Sequence, residues 1–337
     1  MKAVSFYNSL PITDPQSFVD VVVETPKPRP RDLLVEVRAI SVNPVDTKIR
    51  GGGGPGRPDG QFQILGWDAA GIVKEAGNAV TLFQPGDEVY YAGSVERAGS
   101  YAELQCVDER IVGRKPRTLG FAESAALPLT TITAWEVLFD RLRLDKSAEG
   151  SLLIVGGAGG VGSIATQLAR QLTRLKIIST ASRPETVQWC QRMGAHYVID
   201  HRQPLASQVK AIVPGGVNCV LALTKTEDHF DQLIESMAPQ SAMALIENPA
   251  RPLDIVKLKS KSISLHWEFM FTRSRYETTD MGEQGRLLSD VAALVDAGRI
   301  VSTMQPNLGA INAANLRQAH ALVESGKTIG KIVLAGF

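Results

Sequence analysis

The chain has 337 residues, enough for two domains and a large core. Its 36 basic and 35 acidic residues leave a formal charge of +1 with no basic block, which argues against nucleic acid or an anionic membrane as the main partner. The amino terminus lacks a signal-peptide core, no apolar run approaches the ~20 residues of a membrane span, and Cys106, Cys190 and Cys219 lie far apart without a C-x-x-C spacing. A cytoplasmic protein with reduced, structural thiols is expected.

The first third reads as short strands separated by Gly and Pro: Lys2 to Phe6, Leu33 to Ile40, Gly71 to Glu75, Glu88 to Ala92 and Tyr101 to Val107. This is the pattern of a small, irregular β-barrel-like domain. Between Arg50 and Gly60 the glycine- and proline-rich run Gly51 to Asp59 is expected to form neither helix nor strand, and reads equally as a lid beside a site or a plain surface connection.

From about Leu129 to Phe271 strands and helices alternate. The apolar run Leu152 to Val155 leads into Gly156-Gly-Ala-Gly-Gly-Val-Gly162, in which Gly157, Gly159 and Gly162 fit G-x-G-x-x-G. The first glycine permits a tight turn, the second lets backbone approach a pyrophosphate, and the third lets helix pack on strand. Ile164, Leu168 and Leu172 then stand four apart on one helical face, and a second apolar run, Leu175 to Thr180, follows at βαβ spacing. Further strands are expected at Tyr197 to Asp200, Val217 to Leu223, Ser241 to Ile246 and Ser262 to Trp267, with a helix at His229 to Met237, giving a six-stranded, doubly wound parallel sheet. The remainder supplies a helix, Leu287 to Ala297, and a closing strand, Lys331 to Leu334. It is expected to return to the first domain and leave the site in an interdomain cleft.

An NAD site usually places an acidic residue at the tip of the second strand, to bind the ribose 2′-hydroxyl. Here the chain reads Thr180-Ala-Ser-Arg-Pro-Glu185. Ser182 can donate a hydrogen bond and Arg183 can pair with a phosphate through its planar fork, so NADP(H) is favoured over NAD.

The order Ser41-Val-Asn-Pro-Val-Asp46, Leu65-Gly-Trp-Asp-Ala-Ala-Gly71, Pro85-Gly-Asp-Glu-Val89, Ala125-Ala-Leu-Pro-Leu-Thr130, the glycine motif and Gly330-Lys-Ile-Val-Leu334 resembles the medium-chain dehydrogenase/reductase superfamily, in its quinone oxidoreductase branch, and within it the zinc-type alcohol dehydrogenase-like subgroup. The resemblance implies an α/β protein with a GroES-like β-barrel-type catalytic domain (1–128 and 273–337), a Rossmann domain (129–272) and a homodimer. It also implies that Gly157, Gly159, Gly160, Val161 and Gly162 line the pyrophosphate, that Ser182 and Arg183 meet the 2′-phosphate, and that His201 stands where the branch often has a tyrosine on that phosphate. Leu223, Ile246 and Phe269 end later strands near the expected nicotinamide path and read equally as core.

Zinc members take a cysteine, a histidine and a second cysteine from three motifs, and these positions here hold Asn43, Trp67 and about Leu129, none of which replaces a thiolate or imidazole. The stretch Tyr90 to Tyr101 holds no cysteine for a structural zinc, and the five histidines have no ligand spacing. No metal is expected.

Without a Lewis acid, oxidation of a simple alcohol is difficult, whereas hydride addition to a quinone or an α,β-unsaturated carbonyl spreads charge onto an oxygen that hydrogen bonds can stabilise. By the resemblance, Asn43 and Thr133 are candidate donors near the nicotinamide. Asp46 reads as a buried acceptor holding the Asn43 loop, Trp67 and Trp267 as flat faces for an aromatic acceptor or as core, and Lys48 or bulk water as proton donor. The expectation is thus an NADPH-dependent, zinc-independent reductase of small quinones or enones. A zinc-type alcohol dehydrogenase and a crystallin-like, cofactor-binding protein without turnover are the alternatives.

Overall fold

The computed structural model describes residues 1–53 and 61–337. Much of the glycine-rich loop, residues 54–60, lies outside the described residues. Its start does coil: Ile49–Gly53 extends the short helix Pro44–Lys48 by one wide turn, interrupted at Gly52 with φ +93°. A run of glycines can follow a helix end in this way because glycine carries no Cβ penalty at positive φ.

The chain divides into two compact units, residues 1–132 with 271–337, and residues 133–270. The first is built on a seven-stranded, mostly antiparallel sheet around the long strand Asp32–Val42, which pairs with Ala69–Ala76, Leu104–Asp108 and the carboxy-terminal Lys331–Ala335. Edge elements that the sequence reading missed are Val19–Val22, Val112–Arg114, Met304–Asn307 and the helix Ala313–Glu324. Val19–Val22 alternates half-buried with exposed residues, so its signal is weak; it is a strand because it pairs with Lys2–Ser5.

The second unit carries six strands: β1 (Ser151–Val155), β2 (Lys176–Thr180), β3 (Tyr197–Ile199), β4 (Val217–Ala222), β5 (Met237–Leu245) and β6 (Ser264–Trp267). All pair in parallel, in the order β3-β2-β1-β4-β5-β6. Helices α1 (Gly160–Leu172), α2 (Pro184–Arg192), α3 (Leu205–Ile212) and α4 (Thr226–Ser236) fill the crossovers. β1 is buried along its whole length, as a parallel strand covered on both faces must be. Several boundaries differ from expectation: the helix expected at His229 to Met237 spans Thr226–Ser236, and Met237 already belongs to β5. β5 begins at Met237 because that residue pairs with Val217, and β6 begins only at Ser264 because Ser262 adopts φ +52°. The second unit is an α/β Rossmann sheet and the first is GroES-like.

Candidate active site

In the first unit the Ser41–Asp46 and Leu65–Gly71 motifs converge on one buried carboxylate. Asp68 accepts from Ser41 Oγ (2.9 Å), Asn43 Nδ2 (2.8 Å) and the Leu129 amide (2.7 Å), and its Oδ2 lies 3.2 Å from Lys331 Nζ. Lys331 also donates to Val42 O (2.9 Å) and to Asn43 Oδ1. Burial pushes Asp68 up and Lys331 down, and the attraction between them opposes both shifts. The hydrogen-bond inventory decides the protonation state. Four donors surround Asp68 and three acceptors surround the ammonium, so the pair is ionic.

Asn43 therefore uses its carbonyl on Lys331 and one amide proton on Asp68, and is 1% exposed. Asp46 Oδ2 accepts the Asn43 amide at 2.5 Å, and burial raises its carboxyl to about 7. Tyr101, also buried, places its hydroxyl 3.1 Å from His320 Nε2, an imidazole that burial pushes down to about 3. Trp67 is 1% exposed, donates its indole N–H to Ser94 O (3.0 Å) and meets Phe271 edge-on: it is core. Lys48 is exposed.

The second unit collects the candidate cofactor residues along one edge. Because every strand is parallel, the residues after β1, β2, β3, β4, β5 and β6 all lie at the sheet's carboxyl edge, and the strand order reverses between β1 and β4. Gly157 to Gly162 follow β1, Ser182 and Arg183 follow β2, His201 follows β3, and Leu223, Ile246 and Phe269 follow β4, β5 and β6. A Cβ on Gly157 would stand 2.7 Å from Ser179 Cβ, and one on Gly162 would stand 2.4 Å from Gly156 O and 2.8 Å from Gly157 Cα. Helix α1 begins at Gly160 with Gly159 as its N-cap and no side-chain cap bond, which leaves its first amides for an anion. The close turn and the uncapped helix fit a dinucleotide pyrophosphate.

Arg183 caps α2 and faces Glu185 across 3.2 Å, half-exposed, with Thr186 Oγ1 accepting its amide at 3.1 Å. No carboxylate stands between the end of β2 at Thr180 and Arg183. His201 is paired ring to ring with His229 (6.4 Å), and burial, reinforced by His229, Arg202 and Lys225 and opposed by Asp200, holds it below the usual histidine range. Thr133, on the helix Pro128–Trp135, is buried and belongs to this second unit.

These geometries match known proteins along the whole chain. The alcohol dehydrogenase GroES-like domain matches residues 29–131 and the zinc-binding dehydrogenase domain residues 193–334. A zinc-type alcohol dehydrogenase-like protein of Staphylococcus epidermidis is 37% identical over 338 residues, covering 99% of both chains. The chain belongs to the medium-chain dehydrogenase/reductase superfamily. Within it, a Rhizobium etli protein assigned as a zinc-dependent alcohol dehydrogenase superposes with a TM-score of 0.95 at 53% identity, over 100% of this chain and 98% of that one. The 2-methylene-furan-3-one reductase of Solanum lycopersicum is 28% identical over 99% of this chain and 79% of its own.

Membership makes the protein an oxidoreductase, but its catalytic-zinc positions do not fit zinc. Asn43 is held between Asp68 and Lys331, Trp67 has its N–H on Ser94, and Leu129 is apolar. Among the described residues no three His, Cys, Asp or Glu side chains gather as a metal site, and an ammonium already sits against Asp68, the carboxylate that accepts from Asn43 Nδ2. No helix among the described residues is long and apolar enough to cross a membrane.

The sequence reading missed Asp68, Lys331, Tyr101 and His320. A signal was there for two of them. Asp68 and Lys331 are charged residues inside apolar runs, Trp67-Asp-Ala-Ala and Gly330-Lys-Ile-Val-Leu334, and a charge buried in a strand needs an opposite partner.

Proposed function

We propose that this oxidoreductase is an NADPH-dependent, zinc-independent reductase of small quinones or α,β-unsaturated carbonyls. The observation that carries the reading is the pairing of an uncapped, glycine-tight helix start with Ser182 and Arg183, and no acid, at the β2 tip. The cofactor supplies a hydride. Gly157, Gly159, Gly160, Val161 and Gly162 hold its pyrophosphate, Ser182 and Arg183 its 2′-phosphate, and Leu223, Ile246 and Phe269 flank the nicotinamide path. A 2′-phosphate carries more charge than the Glu185 carboxylate and takes the guanidinium from it; His201, neutral in the free protein, offers a polar edge.

For the acceptor, Thr133 and the remaining Nδ2 hydrogen of Asn43 are the donors to the oxygen that gains charge. The Asp68–Lys331 pair fixes the Asn43 amide, and Asp46 fixes its backbone. Quinone reduction takes its protons from solvent; Lys48 is exposed and open to it. The tomato relative, a reductase of a conjugated ketone by its name, supports the enone class. We also propose a cytoplasmic homodimer joined along β6, which ends the sheet and carries the half-exposed Trp267.

The test is NADPH oxidation by an ortho-quinone after chelator treatment, with NADH as control. Chelator-resistant turnover preferring NADPH supports the reading; NADPH binding without turnover of any quinone or enone replaces it with a non-catalytic role. Arg183→Ala is expected to raise the NADPH KM about tenfold, a discounted figure for a half-exposed charge, with the NADH KM nearly unchanged. Steady-state kinetics with both cofactors checks this. Equal loss with both would remove Arg183 from the 2′-phosphate.

A further inference from the structure

The candidate cofactor residues lie at the carboxyl edge of the parallel sheet, and the opposite, amino edge carries a cleft to which nothing above gives a role. Its volume is about 590 Å³, and it is lined by residues that precede or open β1, β2 and β3, among them Glu149, Arg174, Lys176, His196 and Tyr197. That is the size of a small-molecule site. β1 is five residues long, so ~16 Å of strand separates the two edges.

The cleft is basic. Arg170, in the last turn of α1, joins Arg174 and Lys176 there through its contact with His196. Against these three cations stands Glu149, 3.3 Å from Arg174; both side chains are 70% exposed, so the pair is loose and screened. Lys176 has no carboxylate partner among the described residues, and its ammonium lies over the half-exposed Tyr197 ring, 5.9 Å from the centroid. The negative end of the α1 dipole is also here, and Arg170 sits in the turn that carries it.

His196 supplies a second, independent observation. Its backbone N–H donates to Ile177 O at 2.9 Å and its Nδ1 accepts the Ile177 N–H at 3.0 Å, so the residue extends the β2–β3 pairing by one step. A neutral imidazole accepts at one nitrogen only; here that is Nδ1, and Nε2 carries the hydrogen. Burial, then Arg170 and Lys176, hold His196 below the usual histidine range, which keeps it neutral. Nε2 nevertheless faces Arg170 Nη1, and a guanidinium cannot accept. Two donors meet without an acceptor, and an oxyanion that takes a hydrogen bond from each resolves the conflict.

We propose that this amino-edge cleft binds a small phosphate-bearing anion, with its oxygens on Arg170 and His196 Nε2 and its charge matched by Arg174 and Lys176. A phosphoryl group offers three oxygens and up to two charges, which suits donors converging from three strand ends better than a planar carboxylate does. The Tyr197 ring lies alongside for a ring on the same ligand, so a free polyphosphate and a nucleotide are the two sources to separate. The site does not depend on the reductase reading, because none of its residues belongs to the cofactor edge.

Pyrophosphate is the probe, added to the intact protein with saturating NADP+ present to occupy the carboxyl edge. Calorimetry should show one pyrophosphate bound per chain. Arg170→Gln and Lys176→Gln should each weaken that binding about tenfold, whereas Arg286→Gln, which removes the same charge from the first unit, should not. In nitrogen NMR spectra of the imidazoles, the Nε2 signal missing from His196→Gln should shift as pyrophosphate is added. That signal reports the amino edge whether or not NADP+ binds elsewhere. Tighter binding of ADP than of pyrophosphate, lost in Tyr197→Ala, assigns the cleft to a nucleotide; equal or weaker binding of ADP assigns it to the phosphates alone. A His196 signal that does not move, or a loss no greater in Arg170→Gln and Lys176→Gln than in Arg286→Gln, overturns the proposal.

Discussion

Lys331→Met is expected to cost about 3–5 kcal/mol of unfolding free energy at neutral pH, the usual penalty for removing one member of a buried ion pair. Lys331 is 4% exposed and all three of its N–H groups are engaged, by Val42 O, Asn43 Oδ1 and Asp68 Oδ2. Methionine fills the space but leaves Asp68 charged, buried and short of its counter-ion. The deficit should shrink as pH falls. Lys331 pulls Asp68 and Asp46 downward, so without it both carboxyls rise further and protonate at a higher pH, which removes the uncompensated charge. Urea denaturation at neutral pH and near pH 5 checks both parts, and adding Asp68→Asn should recover part of the loss. A Lys331→Met variant as stable as the wild type at neutral pH would contradict the ionic assignment.

Gly162→Ala should disable the cofactor edge. Its new Cβ would stand 2.4 Å from Gly156 O and 2.8 Å from Gly157 Cα, and both obstacles are backbone, so neither can swing away as a side chain could. The loop after β1 has to shift, at about 1–3 kcal/mol for overpacking. The first amides of α1 then no longer point where the pyrophosphate needs them, and NADPH affinity should fall at least tenfold. Fluorescence titration with NADPH, beside a melting curve, separates the two effects. Gly159→Ala serves as the control: its added Cβ meets only Gly156 O, at an ordinary 3.5 Å, so it should leave stability nearly unchanged and act on the ligand alone.

The family was legible because its motifs are local. Six apolar runs at βαβ spacing lead to the order β3-β2-β1-β4-β5-β6, and the glycines that start α1 are recognisable without any partner element. Ser182 and Arg183 follow the glycines at a fixed spacing, so their position at the β2 tip could be read from the sequence.

What the sequence could not disclose depends on residues far apart in the chain. Asp68 and Lys331 are separated by 263 positions, and only the pairing of Lys331–Ala335 with Asp32–Val42 brings the ammonium to the carboxylate. Glu136 and Glu268 read as two ordinary charged residues until the fold buries them together on one guanidinium. The edge strand Val19–Val22 and the start of β5 were likewise decided by pairing rather than by pattern. By itself the sequence determined the two-part architecture and the family, since each follows from short-range periodicity and the steric needs of glycine. Tertiary structure alone decided the protonation and partners of the buried charges, because a charge costs most where water is excluded, and exclusion of water is a property of the folded chain.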